Sequence, residues 1–331
     1  MLPWPRRACA ASRPPRSEPG MLFPCMRASS RISFIDDDPS FLDAMADAVA
    51  SVRRCEFLHH PGELDHSYAE QETLLRREQQ MLARVVGAES PLAAALDYFA
   101  WEGRHRIFSV LVTDQVMPAE DGISICERHG HFGLRRILLT GAADADLAVK
   151  AFNGGAIESF LPKQTRNLGF NLRRALQEQF LHNSLERGRH LAMQMRHERL
   201  QALQSDDVSN ALMVILGRGR VDEYLVLGEP FGVLGLRADG RLSWIQIETT
   251  AGLRELADSL AEFGWDAPGL DRVRAGQALP NLELVSQLEG IAPAIAPVEV
   301  LSEADGLLAA EFLFDWPAAV SWRALAEERG G

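Results

Sequence analysis

Asp114-Gln115-Val116-Met117-Pro118-Ala119-Glu120-Asp121-Gly122 follows an apolar, β-branched run from Ile107 to Thr113. The run reads as a buried strand. Asp114 stands at its carboxyl end, where the strand gives way to a loop. Working outward, the same rhythm repeats. Ile32-Ser33-Phe34-Ile35 runs into Asp36-Asp37-Asp38-Pro39, and Pro39 suits the first turn of a helix because its missing N–H costs nothing there. Phe41, Leu42, Met45, Ala48 and Val49 then recur at helical spacing. Cys55-Glu56-Phe57-Leu58, Ile137-Leu138-Leu139-Thr140 and Ser159-Phe160-Leu161 read as further strands. Helical stretches lie at Pro91 to Trp101, Ile123 to Arg128 and Asp146 to Asn153. Alternating strands and helices imply a parallel, doubly wound α/β sheet. Ligands of such sheets bind beyond the carboxyl ends of the strands. Those ends carry Asp36, Asp37, Asp114, Thr140 and, shortly after the last strand, Lys163.

Asp114 to Gly122 resembles the D-x-x-M-P-x-x-D-G motif of two-component response-regulator receiver domains. The acidic pair Asp36-Asp37, the Thr140-Gly141 pair and Lys163 follow in the family's order, so the resemblance covers residues 31–165. Only Lys150 and Lys163 are lysines among 34 Lys+Arg, and one of the two falls on the family position. The resemblance implies a flavodoxin-like five-stranded fold and a phosphoryl group accepted on Asp114 from a sensor histidine kinase. It implies Mg²⁺ (or Mn²⁺) held by Asp36, Asp37, Asp114 and the carbonyl of Val116, with Asp36 acting mostly through water. It also implies that Thr140 and Lys163 contact the phosphate and that Phe160 is the switch aromatic. The physics agrees. Carboxylates ~5 Å apart repel by ~3 kcal/mol per pair at an effective dielectric of about 20, which calls for a cation. Oxygen ligands favour a hard one. One departure stands out: the family places Pro after the lysine, whereas here Pro162 precedes Lys163 and Gln164 follows. Ala151-Phe152-Asn153-Gly154-Gly155-Ala156-Ile157 is faintly similar to receivers paired with quorum-sensing-type kinases.

The rest of the chain is organised around this unit. Residues 1–30, rich in Pro and Arg and without an apolar signal core, read as a disordered leader in which Met21 or Met26 could be the start. The receiver is expected over 31–183, with a helical insertion at 61–90 that reads as packed on it, the alternative being a partner or dimer surface. A helical connector follows over 184–206, broken near Gly188, with apolar positions that would allow a dimer. Residues 207–331 read as a smaller α+β domain with an antiparallel sheet. Three strands lie at Glu223 to Leu227, Phe231 to Leu236 and Leu242 to Ile247, and Ala238-Asp239-Gly240 supplies a hairpin turn. Thr250 to Phe263 forms an amphipathic helix, and Val298 to Leu301 with Leu307 to Phe314 a closing hairpin.

Charge constrains the output. The net charge is −12, and from Ser205 onward 21 Asp+Glu face 9 Arg, 9 − 21 = −12, so the whole excess sits there. Such a segment is repelled by phosphate backbones. The expected output is therefore a protein or small-ligand binding domain rather than DNA binding or catalysis. The alternatives are an atypical DNA-binding unit on Arg187, Arg189, Arg196 and Arg199, or an enzyme site on Glu229, Asp239, Trp244 and Glu248. No apolar run reaches the length of a membrane span. The four cysteines form no C-x-x-C pair, which fits reduced thiols in a cytoplasm, and Cys126 with His129 and His131 reads as ordinary structure rather than a metal site.

Overall fold

The computed structural model describes residues 23–50, 52, 54–262 and 267–316. These divide into two compact units. One holds 30–77 and 103–186; the other holds the described residues up to 29, then 78–102 and the chain from 187 onward. In chain order the strands are β1 (Met26–Arg27), β2 (Arg31–Ile35), β3 (Cys55–Leu58), β4 (Phe108–Asp114), β5 (Arg135–Thr140), β6 (Ser159–Pro162), β7 (Val221–Leu227), β8 (Gly232–Arg237), β9 (Leu242–Thr249), β10 (Ala278–Pro280), β11 (Ile295–Pro297), β12 (Glu299–Ser302) and β13 (Leu307–Phe314).

The first unit is a five-stranded parallel sheet in the order β3-β2-β4-β5-β6. β4 is buried along its whole length, as expected of a strand covered on both faces. Alternation sorts its side chains. Val110 and Val112 join Ile32, Phe34, Ile137, Leu139 and Leu161 in a core shared with the helices Pro39–Ala48 and Leu168–Arg187. Leu111 joins Ile35, Leu58 and Leu138 in a second core with Ile125, Cys126, Ala148 and Ala151 from the helices Gly122–Arg128 and Ala145–Gly154. Two cores on opposite faces are what double winding requires.

The second unit is built on a six-stranded antiparallel sheet, β1-β7-β8-β9-β13-β12. Its core draws on β7, β8, β9 and β13 and on the helices Pro91–Ala100 and Asp206–Arg218, with Trp244 fully buried. Within it Glu78 and Arg187 form a buried ion pair, Arg187 Nε donating to Glu78 Oε2 at 2.8 Å, and Tyr98 donates its hydroxyl to Glu78 Oε1 at 2.8 Å.

Several boundaries differ from the sequence reading. The leader reading covers 1–30, and its first 22 residues lie outside the described residues. Phe23, Cys25 and Met26, by contrast, are buried in the second unit's core, and β1 pairs with β7 through Met26 and Leu225. Burial of three apolar side chains within four residues stabilises this placement. The insertion forms the helices Pro61–Ser67 and Gln71–Gly87, and from Glu78 onward it belongs to the second unit, as does Pro91–Ala100. The connector is no free-standing linker either. Its helices Arg189–Gln194 and His197–Gln204 bury Leu191, Ala192, Met195 and Leu203 in the same core.

Candidate functional site

The parallel sheet brings its polar strand tips together. Asp36, just past β2, is 1% exposed, and its backbone N–H donates to Leu58 O at 3.2 Å. Asp36 Oδ1 accepts from the Asp38 N–H at 3.0 Å, which turns the carboxylate inward. Asp38 caps the following helix, its side chain accepting from the N–H groups of Ser40 and Phe41 at 2.9 and 3.3 Å. That cap leaves Asp37 exposed on the rim. One carboxylate oxygen from each of Asp36, Asp37 and Asp114 lies within 4.8 Å of the others, and no other group of three potential ligands meets this spacing among the described residues.

Asp114 ends β4 and is 6% exposed. The loop after it is tied down by Gln115 N–H to Leu139 O at 3.0 Å and Gly122 N–H to Gln115 O at 3.1 Å. Gly122 is demanded by space. A Cβ there would stand 2.1 Å from Asp114 O and 2.9 Å from Leu138 Cδ1. Asp121 then caps the Gly122–Arg128 helix through the Ser124 N–H at 3.1 Å. The glycine and the second aspartate of the motif thus shape the loop rather than touch the cluster.

Lys163 reaches the cluster despite the Pro162-Lys163 order. Its N–H donates to Thr140 O at 2.8 Å, which anchors the loop after β6. Its Nζ stands 2.7 Å from Asp36 Oδ2 and 2.9 Å from Asp114 Oδ1. The same ammonium lies 4.5 Å over the Phe41 ring. The sequence reading took Phe41 only as a helix core residue, and nothing in the local pattern marks it as a platform for a cation. Burial opposes the charge on Lys163, but hydrogen bonds and charge from Asp36 and Asp114 outweigh it and raise its pKa. Burial is also the main influence on Asp114 and raises its pKa; Asp36 adds to the rise, and Lys163 counters it. Three carboxylates against one ammonium leave a formal excess of two negative charges, which a dication would cancel.

Thr140, at the tip of β5, is buried. β5 and β6 pair Leu138 with Phe160 and Thr140 with Pro162, so Phe160 shares the sheet face of Thr140 one step further back. Phe160 is half-buried and meets Phe152 edge-on at 6.3 Å. Val116 is 63% exposed beside the cluster.

Other sequence candidates do not converge. Cys126 is sealed in the core, His129 lies 3.2 Å from Asp65, and the His131 ring packs on Phe132 at 3.9 Å. Asp239 sits at the β8–β9 turn, held by Arg241, at the opposite end of β9 from Glu248. Trp244 is a core residue. Glu229 is paired with Arg196 and Arg199 at 2.9 and 2.8 Å.

No protein-family model matches the chain, and no curated protein matches it. Solved structures do. The response regulator LqsR of Legionella pneumophila is 19% identical, with a TM-score of 0.68 over 94% of this chain and 97% of that one. A receiver-domain protein of Clostridium thermocellum is 19% identical and covers 47% of this chain and 98% of its own, with a TM-score of 0.34. An adenylate cyclase of Rhodopirellula baltica is 18% identical over 49% of this chain and 95% of that one, also at 0.34. The chain therefore has the fold of LqsR. Among the described residues no helix is long and apolar enough to cross a membrane.

Proposed function

We propose that this protein is the response regulator of a two-component phosphorelay, with Asp114 as phosphoacceptor. The observation that carries this reading is Asp114 itself. It is mostly buried, sits within 4.8 Å of two further carboxylates, and lies 2.9 Å from the Lys163 ammonium. The donor set fits a hard dication, because every side-chain ligand is a carboxylate and the local charge excess is two. Asp36, Asp37, Asp114 and the Val116 carbonyl would hold Mg²⁺ or Mn²⁺, which supplies charge neutralisation to an incoming phosphoryl group. In the transfer, an Asp114 carboxylate oxygen bonds to phosphorus while the bond to the kinase imidazole breaks and the imidazole leaves. Lys163 then passes from the free carboxylate to the acyl phosphate. Thr140 donates its hydroxyl to a phosphate oxygen, and Phe160 moves into the space vacated on the shared face. Phe160 has no hydroxyl to anchor either rotamer, so packing alone sets the switch. A shift from about 1% to 99% active requires ~5.5 kcal/mol of differential stabilisation.

The second unit is read as an output that binds a small ligand or a protein, in the cytoplasm, and not DNA. Of the four arginines that could form a basic face, Arg187 is buried against Glu78, and Arg196 and Arg199 are spent on Glu229. The test is direct. Protein incubated with Mg²⁺ and acetyl phosphate gains one base-labile phosphoryl group, and Asp114→Asn loses it. Label that persists in the variant overturns the assignment. Lys163→Ala is expected to retain some label but to lose the change in hydrogen exchange that phosphorylation produces in the second unit.

A further inference from the structure

The first turn of the helix Pro39–Ala48 places two groups around the Lys163 ammonium at once. Asp38, the N-cap, donates its N–H to Asp36 Oδ1 at 3.0 Å, and its side chain accepts from the Phe41 N–H at 3.3 Å. One cap therefore sets both the Asp36 carboxylate and the Phe41 backbone. Asp36 Oδ2 stands 2.7 Å from Lys163 Nζ, and the same Nζ lies 4.5 Å from the centre of the Phe41 ring, over its face. Asp114 Oδ1 completes the set at 2.9 Å. Both aspartates are nearly sealed from solvent and the Lys163 side chain is 22% exposed, so little water competes for the ammonium. Removal from water strengthens the attraction between a cation and an aromatic face.

Phe41 also packs against the core that holds Phe34, Leu42 and Leu161. Leucine would serve packing there as well. Packing does not account for an ammonium set over the ring face. Lys163 needs such a hold. Its backbone is fixed by the Thr140 carbonyl at 2.8 Å and by a turn in which the Thr165 N–H donates to Pro162 O at 2.9 Å. Beyond the backbone runs a flexible four-carbon stem that ends in a point charge. The two carboxylates that hold Nζ are the groups whose state changes in the proposed chemistry. Asp114 becomes an acyl phosphate, and Asp36 would share its charge with a dication. The ring carries no net charge and ligates nothing, so its attraction persists when theirs are altered.

We propose that Phe41 is a positioning residue for phosphoryl transfer. Its ring face holds the Lys163 ammonium beside Asp114 while the ammonium exchanges the free carboxylate for phosphoryl oxygens. The inference rests on the reading of Asp114 as phosphoacceptor and adds to that site an uncharged residue outside the carboxylate cluster.

The experiment replaces Phe41, in the full chain, with 4-fluoro-, 3,5-difluoro- and 3,4,5-trifluorophenylalanine. Each fluorine draws electron density from the ring face and weakens its hold on a cation while nearly conserving shape. A role in packing alone gives no such trend. The first readout, on metal-free protein, is the rate at which acetic anhydride acetylates Lys163, divided by the rate at the exposed Lys150; these two are the only lysines in the chain. The ratio is expected to climb with each fluorine and to reach about fivefold with trifluorophenylalanine. The second readout is the rate of labelling by acetyl phosphate with Mg²⁺, which should fall in the same order, by about threefold. Phe41→Trp keeps a strong ring face and should stay near the unsubstituted protein in both readouts, whereas Phe41→Leu should depart at least as far as trifluorophenylalanine. A flat fluorine series in either readout, or Phe41→Leu indistinguishable from the unsubstituted protein, overturns the proposal. Thermal melts check folding, and the fluorinated series decides even if Phe41→Leu or Phe41→Trp fails to fold. Missing label in the unsubstituted protein, or label that survives Asp114→Asn, overturns the phosphoacceptor reading and the proposal with it. That outcome is distinct from a flat series in a protein labelled at Asp114.

Discussion

The two sheets of this chain collect polar groups in different ways. In the parallel sheet every strand ends on the same edge, so Asp36, Asp114, Thr140 and Lys163, spread over more than a hundred residues, arrive at one place. In the antiparallel sheet strand ends alternate between edges. Asp239 and Glu248, at opposite ends of β9, are held apart by the strand itself, roughly 20 Å at ~3.4 Å per residue. What gathers there is one face of a strand, as with Gln246 and Glu248, whose side chains meet at 3.5 Å. A parallel sheet announces its site through loops after strands. An antiparallel sheet hides it in side-chain alternation and in whichever element crosses the end.

Predictions sharpen that contrast, beginning with the largest effect. Asp114→Asn should abolish phosphoryl labelling outright while leaving the melt of the second unit in place, as read by near-ultraviolet dichroism. A lost second unit would show that the two sheets do not function as separate sites. Next, Glu78→Ala should destabilise the antiparallel unit by ~3–5 kcal/mol, because it removes the carboxylate paired with the buried Arg187 guanidinium and hydrogen-bonded by the Tyr98 hydroxyl. Denaturant midpoints would measure this, and a cost below ~1 kcal/mol would show that the pair is open to water. Gly122→Ala should cost the parallel unit ~1–3 kcal/mol and slow labelling at Asp114, since the new methyl group collides with the Asp114 carbonyl. Normal labelling would mean that the loop shape is not what presents the nucleophile.

The smallest effect is a pH dependence. Glu248 and Glu283 have raised pKa values in the fold, so between the ordinary glutamate range and those raised values the folded chain binds more protons than the unfolded one. The contribution of these two groups to the stability of the second unit should therefore rise as pH falls through that window and be level above it. Glu248→Gln should flatten the trend and modestly raise the melting temperature at pH 8. Melts from pH 5 to 8 check this, and a variant with an unchanged slope would remove Glu248 as its source.

How much of this was legible in the chain follows from the same contrast. The string from Asp114 to Gly122, with the acidic pair and the lysine in order, marked the receiver fold and placed its strands within a few residues. Local patterns could do this because each strand tip carries its own residue type. The reversed Pro162-Lys163 order left the path of the lysine open. Tertiary packing settled it through the Thr140 carbonyl, which anchors the loop, and the Phe41 ring, over which the ammonium lies.

Two matters lay beyond any single stretch. Phe23 to Met26 reads as part of a loose leader until β7 offers a free edge and the core accepts three apolar side chains. The division of the insertion and connector between the two units depends on which core buries Met81, Leu82, Leu191 and Met195. The sequence by itself determined the parallel sheet and the residue types at its tips, because strand alternation and loop chemistry are local. Only the tertiary structure decided which distant apolar faces share a core and which distant charges pair, as Glu78 and Arg187 do, because burial and charge pairing are sums over neighbours that the chain order does not contain.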